Sequence, residues 1–176
     1  MKLKKVIISG APGTGKSSII KELKNRGYFC FEEVWKKEYE NPNKNNNSNQ
    51  INIFSKHLFL ERLKHLETHM NTKIKDQVIF YDRSIIDTIS YLNNYKKNIE
   101  SSWEEIAFKK RYYDLVFLCP LWKKIYKQTD KRKESFEESI LIEKSLTSTY
   151  KKFLYQIKKV PKLDVTNRVN YILENI

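Results

Sequence analysis

Three of the four glycines in this chain fall within six residues, and this cluster constrains the fold more than any other feature. Gly10, Gly13 and Gly15 belong to the stretch GAPGTGKS at residues 10–17, which satisfies the pattern G-x-x-x-x-G-K-[ST]. A short apolar run precedes the stretch and a helical pattern follows it. This context predicts a phosphate-binding loop between a buried strand and a helix.

The spacing of the loop has a physical reason. Glycine permits positive φ angles and close approach of the backbone, so that several N–H groups can point into one concave nest around a polyphosphate. The following helix adds the positive end of its dipole. We expect Lys16 to reach the β- and γ-phosphates and Ser17 to join the shell of Mg²⁺. The predicted nucleotide-binding residues are Gly10, Ala11, Pro12, Gly13, Thr14, Gly15, Lys16, Ser17 and Ser18.

Composition limits what surrounds this loop. A length of 176 residues fits one domain, and no apolar run approaches the ~20 residues of a membrane helix. We therefore expect a cytoplasmic protein whose Cys30 and Cys119 are reduced core thiols. The formal charge of +13 is spread along the chain, so a nucleic-acid partner is disfavoured. The oligomeric state stays open.

Short apolar runs alternate with helical patterns, as in βαβ units around a parallel sheet. The predicted strands are Leu3–Ser9, Tyr28–Phe31, Gln77–Tyr81, Asp114–Cys119 and Lys158–Val160. The predicted helices are Ser17–Leu23, Ile51–Lys75, Ser84–Tyr95, Ser102–Arg111, Glu134–Gln156 and Thr166–Glu174, the last with Thr166 as N-cap. These elements predict an α/β fold.

Two segments interrupt the regular pattern. Residues 41–50 contain no apolar side chain, so we expect a mobile surface loop, either idle or part of a lid. Residues 121–135 form a basic and aromatic stretch that has the character of a lid. Within it, Arg132 is the best candidate to close over a transferring phosphate, although a solvated basic turn explains it equally well.

Acidic residues after the other strands bear on the reaction. If the first and third strands are neighbours, Asp82 emerges beside the loop, where it can hold Mg²⁺. Motor ATPases place a second acid there, whereas this chain has Arg83, a fixed cation suited to clamping phosphate. Glu33, or less favourably Glu32, follows the second strand and can accept a proton from an acceptor hydroxyl. Capping of the strand end, and a structural ion pair at Asp82-Arg83, are the alternatives.

Three further residues, one aspartate and two histidines, are candidates for site roles. Asp87 lies four residues beyond Arg83 and can orient its guanidinium or bind substrate. His65 and His69 have zinc-like spacing, but the glutamate of the metalloprotease pattern is missing, so zinc is disfavoured.

Taken in order, these segments resemble a known family. The chain resembles the AAA-type ATPase/kinase-like domains related to the ribosylnicotinamide kinase part of bacterial NAD-salvage proteins. The segments that carry the resemblance are ISGAPGTGKSSI, FEEVW, FSKHLFLERL, VIFYDRSIIDTISYL, YDLVFLCPLW, DKRKESFEES and VPKLDVTNRVNYIL, the last of which contains Arg168. The resemblance covers nearly the whole chain. It implies a P-loop NTPase fold of the kinase-like type, a three-layer αβα arrangement with five parallel strands in the order 2-3-1-4-5.

The resemblance also implies ATP, or GTP as in some relatives, together with Mg²⁺. By motif position it suggests Lys16, Glu33, Asp82, Arg83 and Arg132 as catalytic residues, with Ser17 and Asp82 on the metal. The leading hypothesis is phosphoryl transfer from ATP to a hydroxyl of a small nucleoside-like acceptor. The alternative is an ATP- or GTP-binding AAA-type ATPase or a nucleotide-dependent switch that binds a phosphoinositide or a protein.

Overall fold

A computed structural model of the chain describes residues 3–34, 48–68, 74–128 and 134–176. Within these ranges the strands are β1 (Lys4–Ser9), β2 (Phe29–Phe31), β3 (Val78–Asp82), β4 (Leu115–Leu118) and β5 (Gln156–Lys159). The helices are α1 (Lys16–Asn25), α2 (Ser48–Glu67), α3 (Ile85–Asn94), α4 (Ser101–Lys109), α5 (Phe136–Lys152) and α6 (Val165–Leu173), and Lys75–Gln77 forms a 3₁₀ turn.

The described strands form one parallel sheet in the order β2-β3-β1-β4-β5, as the resemblance implied. Strand β1 lies at the centre, with Ile8 opposite Asp82 of β3 and Ile7 opposite Val116 of β4. The carboxyl ends of parallel strands share one edge of the sheet, where ligands bind in open α/β folds. The segments after β1, β2 and β3 therefore meet at that edge.

Helices cover both faces of the sheet. Side chains alternate along β1, so that Val6 and Ile8 pack with α1 and α6 while Ile7 packs with the helices of the opposite face. Both faces are buried at the centre of the sheet, which explains why β1, β3 and β4 contain continuous apolar runs. The three-layer prediction is confirmed.

Several predicted boundaries were wrong for local reasons. Helix α2 starts at Ser48, inside the segment expected to be a loop, and ends at Glu67 rather than Lys75. The rest of that predicted loop, residues 41–47, lies outside the described residues. Helix α5 ends at Lys152, because Leu154 takes a positive φ of 59° and turns the chain into β5. Consequently β5 begins at Gln156, before the predicted Lys158.

The capping residues explain where three helices begin. Ser84 and Ser135 each form a capping box with an acid three residues on, which satisfies donors at the N-termini of α3 and α5. For α6, Asp164 accepts from the backbone N–H of Asn167, so the N-cap is Asp164 and not Thr166. No helix of the described residues is long and apolar enough to span a membrane.

Candidate active site

The loop of residues 10–17 connects β1 to α1 at the carboxyl edge of the sheet. Gly13 and Gly15 have φ angles of 79° and 82°, which favour glycine over any residue with a side chain. At Gly10 an added Cβ would lie 2.5 Å from the backbone oxygen of Cys119, so the loop also packs too closely for a side chain there. Gly15 is the N-cap of α1. The sequence thus folds into the strand, loop and helix that the motif requires.

Lys16 is the charged side chain held deepest in this loop, with 5% of its surface exposed. Its Nζ donates to the Ala11 carbonyl oxygen at 2.9 Å and lies 3.4 Å from Thr14 Oγ1. Burial, helped by the nearby Arg83 cation, lowers the pKa of Lys16 to about 8. Ser17 and Ser18 follow on the exposed first turn of α1. An ammonium and two hydroxyls therefore border the nest.

Asp82 ends β3 directly beside the loop, since it is the register partner of Ile8. Its carboxylate is 5% exposed, and among the described residues its Oδ1 has no hydrogen-bond partner. Burial and the neighbouring Glu33 carboxylate raise the pKa of Asp82 to about 6. A buried carboxylate oxygen without a donor is what a hard cation such as Mg²⁺ would satisfy. Together with the exposed Ser17 hydroxyl, the residues present fit that ion.

Arg83 joins the loop to the segment after β2. It adopts a positive φ of 73°, and its Nη1 donates to the Gly10 carbonyl oxygen at 3.1 Å. Its Nε donates to Glu33 Oε1, and its Nη1 lies 3.6 Å from Asp87 Oδ1. A non-glycine residue in the left-handed region carries strain that the surrounding contacts must hold in place. The guanidinium therefore has a fixed orientation.

Glu33 faces this cation cluster, whereas Glu32 does not. Burial alone would raise the Glu33 pKa, but Arg83, Lys16 and Arg62 lower it, so the carboxylate is ionised at neutral pH. Arg62 Nη2 lies 3.8 Å from Glu33 Oε1. Glu32 pairs instead with Lys24 and has 69% of its side chain exposed. Between the two glutamates considered from sequence, the geometry favours Glu33.

Asp87 is fully buried and engaged within the protein. Its carboxylate accepts from Ser9 Oγ at 2.6 Å, from the Ser84 backbone N–H and hydroxyl at 2.9 Å each, and from the Tyr150 hydroxyl. These contacts leave little room for a substrate group, and the ion pair with Arg83 matches the orienting role.

A narrow crevice opens beside Asp82, and we call it the β3 crevice. It is lined by Phe31, Glu32, Arg62, His65, Tyr81, Asp82, Arg83 and Tyr112. Phe31 lies between two rings, stacked on His65 at 4.5 Å and on Tyr81 at 5.0 Å between centroids. Among the described residues, Arg62 Nε and the Tyr81 hydroxyl are buried without a hydrogen-bond partner. An aromatic wall thus stands beside buried polar groups that have no partner among the described residues.

Arg62 was missed by sequence reasoning, although it is only 5% exposed. Its Nη1 donates to Thr88 Oγ1 at 2.8 Å and to the Ser84 carbonyl oxygen at 3.4 Å. The one signal available was its position inside the apolar stripe of α2, where a charged residue is expensive unless it is paired.

Other predicted residues are less well placed. Arg132, proposed as a lid arginine, and His69 both lie outside the described residues. No group of three or more potential metal-ligating His, Cys, Asp or Glu residues occurs in the described part of the chain. From the lid segment, Tyr126 packs against the loop, with a ring carbon 2.6 Å from where a Cβ of Gly13 would be.

Comparison with known proteins identifies the fold and the family. Deoxyadenosine kinase from M. mycoides, solved with bound dATP, superposes with a TM-score of 0.71 at 19% identity, covering 97% of each chain. Thymidylate kinase from Ehrlichia chaffeensis gives a TM-score of 0.63 at 12% identity, covering 99% of this chain and 98% of that one. No curated protein sequence matches. The structural likeness establishes a P-loop kinase fold, and a family model described as AAA domain matches residues 5–168. The chain therefore belongs to this AAA domain family, AAA_28.

Proposed function

We propose that the protein transfers the γ-phosphoryl group of ATP to a hydroxyl of a small nucleoside-like acceptor, with Mg²⁺. The observation that carries the proposal is the convergence of Glu33, Arg83 and Asp82 at the edge of the loop that holds Lys16. A hydrolase or a motor needs an activated water at this position. Here a carboxylate and a fixed guanidinium border a crevice instead, which suits an organic acceptor.

The loop N–H groups and Lys16 bind the phosphates in this proposal, and Asp82 and Ser17 hold Mg²⁺. When bound, the cation neutralises charge on the phosphate oxygens. Glu33 accepts the proton of the acceptor hydroxyl while the oxygen of that hydroxyl forms a bond to the γ-phosphorus. At the same time the bond between the γ-phosphorus and the β-phosphate oxygen breaks, and ADP leaves. Arg83 keeps Glu33 in place and offsets the developing charge.

The charge around the β3 crevice supports a neutral acceptor over a phosphorylated one. Arg62 and Arg83 both lie close to the Glu33 carboxylate and line the crevice together with Asp82 and Glu32, so the described residues offer no surplus of positive charge. Burial lowers the pKa of His65, which is therefore neutral at pH 7. The phosphate of a nucleoside monophosphate would add a charge of about −2 to a site whose charges already balance, so the carboxylates would repel it.

A panel assay tests the proposal. Purified protein is incubated with ATP, Mg²⁺ and single nucleosides, including nicotinamide riboside because of the sequence resemblance, and ADP release and products are measured. Each nucleoside is paired with its own 5′-monophosphate. We expect at least one nucleoside to stimulate ADP release and yield a monophosphate, with its paired monophosphate inactive. No stimulation by any nucleoside would reject the proposal.

A second candidate is a nucleotide-dependent ATPase or a switch that binds a phosphoinositide or a protein. It is favoured by the AAA domain match and by the formal charge of +13. It predicts slow, acceptor-independent turnover and a partner affinity that differs between the ATP and ADP states. Binding to phosphoinositide vesicles with either nucleotide distinguishes the two candidates, because the kinase proposal predicts no nucleotide-dependent difference.

A further inference from the structure

Arg168 of α6 contacts the nucleotide-binding loop from outside. It is 3% exposed, and its Nη2 donates to the Thr14 carbonyl oxygen at 2.9 Å, across 154 positions of sequence. Its Nη1 lies 2.7 Å from where a Cβ of Gly15 would be. The guanidinium therefore packs against the two residues that precede Lys16.

This contact bears on the shape of the nest. N–H groups can point into a nest only if the neighbouring carbonyl groups point out of it, and an outward carbonyl that is buried needs a donor. Thr14 contributes such a carbonyl, and a charged donor makes a stronger hydrogen bond to it than a neutral one. Since Gly15 has no side chain, the guanidinium can approach this closely.

We propose that Arg168 is a positioning residue for nucleotide binding. It holds the peptide between Thr14 and Gly15 in the orientation that keeps the nest open for phosphate, and it makes no contact with the phosphate itself. The inference rests on the proposed nucleotide site but not on the acceptor, so it survives if the acceptor proves different.

Arg26 provides a matched control at the other end of α1. This arginine also ties α1 to α6, donating to Asn170 Oδ1 at 2.6 Å and to the Thr166 carbonyl oxygen at 3.4 Å, but it lies at the C-cap, far from the loop. Removing either arginine weakens the same helix pair. Only Arg168 contacts the loop.

The test compares wild type, Arg168→Ala, Arg168→Lys and Arg26→Ala for thermal stability and for binding of ATP and inorganic tripolyphosphate by calorimetry. Tripolyphosphate probes the nest without a nucleoside. We expect Arg168→Ala to weaken both ligands about 10-fold or more, Arg168→Lys to recover part of that loss, and Arg26→Ala to leave both affinities within about threefold of wild type.

Each other outcome has a distinct meaning. If Arg168→Ala and Arg26→Ala lower affinity equally, the effect is general destabilisation and the inference is wrong. If Arg168→Ala weakens ATP but not tripolyphosphate, Arg168 acts on the nucleoside end, which also overturns it. Should Arg168→Ala fail to fold, unchanged affinities in Arg168→Lys would contradict the inference. If wild type binds neither ligand, the nucleotide site itself is rejected.

Discussion

In the loop of residues 10–17 the buried polar side chains already have partners within the chain, whereas several groups around the β3 crevice have none among the described residues. Lys16 and Thr14 are hydrogen-bonded to loop atoms, and Arg168 supports the loop from behind. By contrast, within the described ranges, Asp82 Oδ1, Arg62 Nε and the Tyr81 hydroxyl are buried without a hydrogen-bond partner.

The loop and the β3 crevice are therefore built in different ways. Backbone geometry forms the loop, so its shape exists before ligand arrives. The crevice instead holds desolvated groups that the proposed cation and acceptor would satisfy, and such groups cost stability until they are paired. A transferase with two substrates needs a preformed site for the phosphates and, beside it, polar groups that are free to bind the second substrate.

The largest expected effect is on the loop. Lys16→Ala should lower nucleotide-dependent turnover about 10³-fold, because it removes the buried cation expected to meet the β- and γ-phosphates. Steady-state kinetics with circular dichroism measures this while checking the fold. Lys21→Ala, on the exposed side of α1, is the control and should retain turnover. Full activity in Lys16→Ala would contradict the mechanism.

The next prediction separates nucleotide binding at the loop from catalysis beside the crevice. Glu33→Gln should lower acceptor-dependent kcat about 10²-fold through loss of the proton acceptor, while the dissociation constant for ATP changes little. Glu105→Gln is the control, since Glu105 is exposed, pairs with Lys109 on α4 and does not line the crevice. Equal losses of kcat in both variants would show that Glu33 is not the base.

The buried Asp82 carboxylate should lower the free energy of unfolding of the Mg²⁺-free protein. Its pKa is raised from 3.8 to about 6, so the folded state holds a proton that the unfolded state has lost in that window, and stability falls as pH rises through it. Asp82→Asn should therefore stabilise the Mg²⁺-free protein by ~1–3 kcal/mol at pH 7.5, with the gain shrinking toward pH 4.

Urea denaturation of both proteins in EDTA measures that gain. The same variant should lose Mg²⁺-dependent turnover, so that stability and activity move in opposite directions. A less stable Asp82→Asn at pH 7.5 would mean that Asp82 is a net stabilising group and that the crevice is satisfied without ligand.

The smallest effect concerns recognition of the acceptor. Arg62→Lys keeps the charge but removes the planar fork that donates to Thr88, together with the Nε that has no partner among the described residues. We therefore expect the KM for acceptor to rise about 10-fold with the KM for ATP unchanged. Arg111→Lys, at the partly exposed ion pair with Asp114, serves as control. If Arg62→Lys raised the KM for ATP and left the KM for acceptor unchanged, Arg62 would not be a residue that recognises the acceptor.

Much of the fold followed from sequence because its signals are local. The glycine spacing predicted the loop, and the strand patterns predicted all five strands to within two residues at each end. Boundaries failed where one residue overrides a continuing pattern, as when the positive φ of Leu154 stops α5 within a helical periodicity. Asp164 was similarly overlooked as a cap because Thr166 offers the same chemistry two residues later.

The candidate site was only half predictable. Residues adjacent to motifs, such as Asp82 and Arg83, could be placed because register brings the end of β3 beside the loop. Arg62 could not, since it is one among 34 basic residues, and Arg168 was noted only as part of the family resemblance, without a role. The contacts of both arginines are distant in sequence. Burial distinguishes them from the solvated majority, and burial is a property of the folded chain.

We propose that an acceptor with a hydroxyl group binds at the β3 crevice beside the loop. The most direct measurement follows the label of [γ-³²P]ATP in the presence and absence of the best nucleoside of the panel. The account predicts label on the nucleoside in amounts equal to the ADP formed, with little free phosphate. Label released only as inorganic phosphate, at the same rate with and without every nucleoside tested, would contradict it.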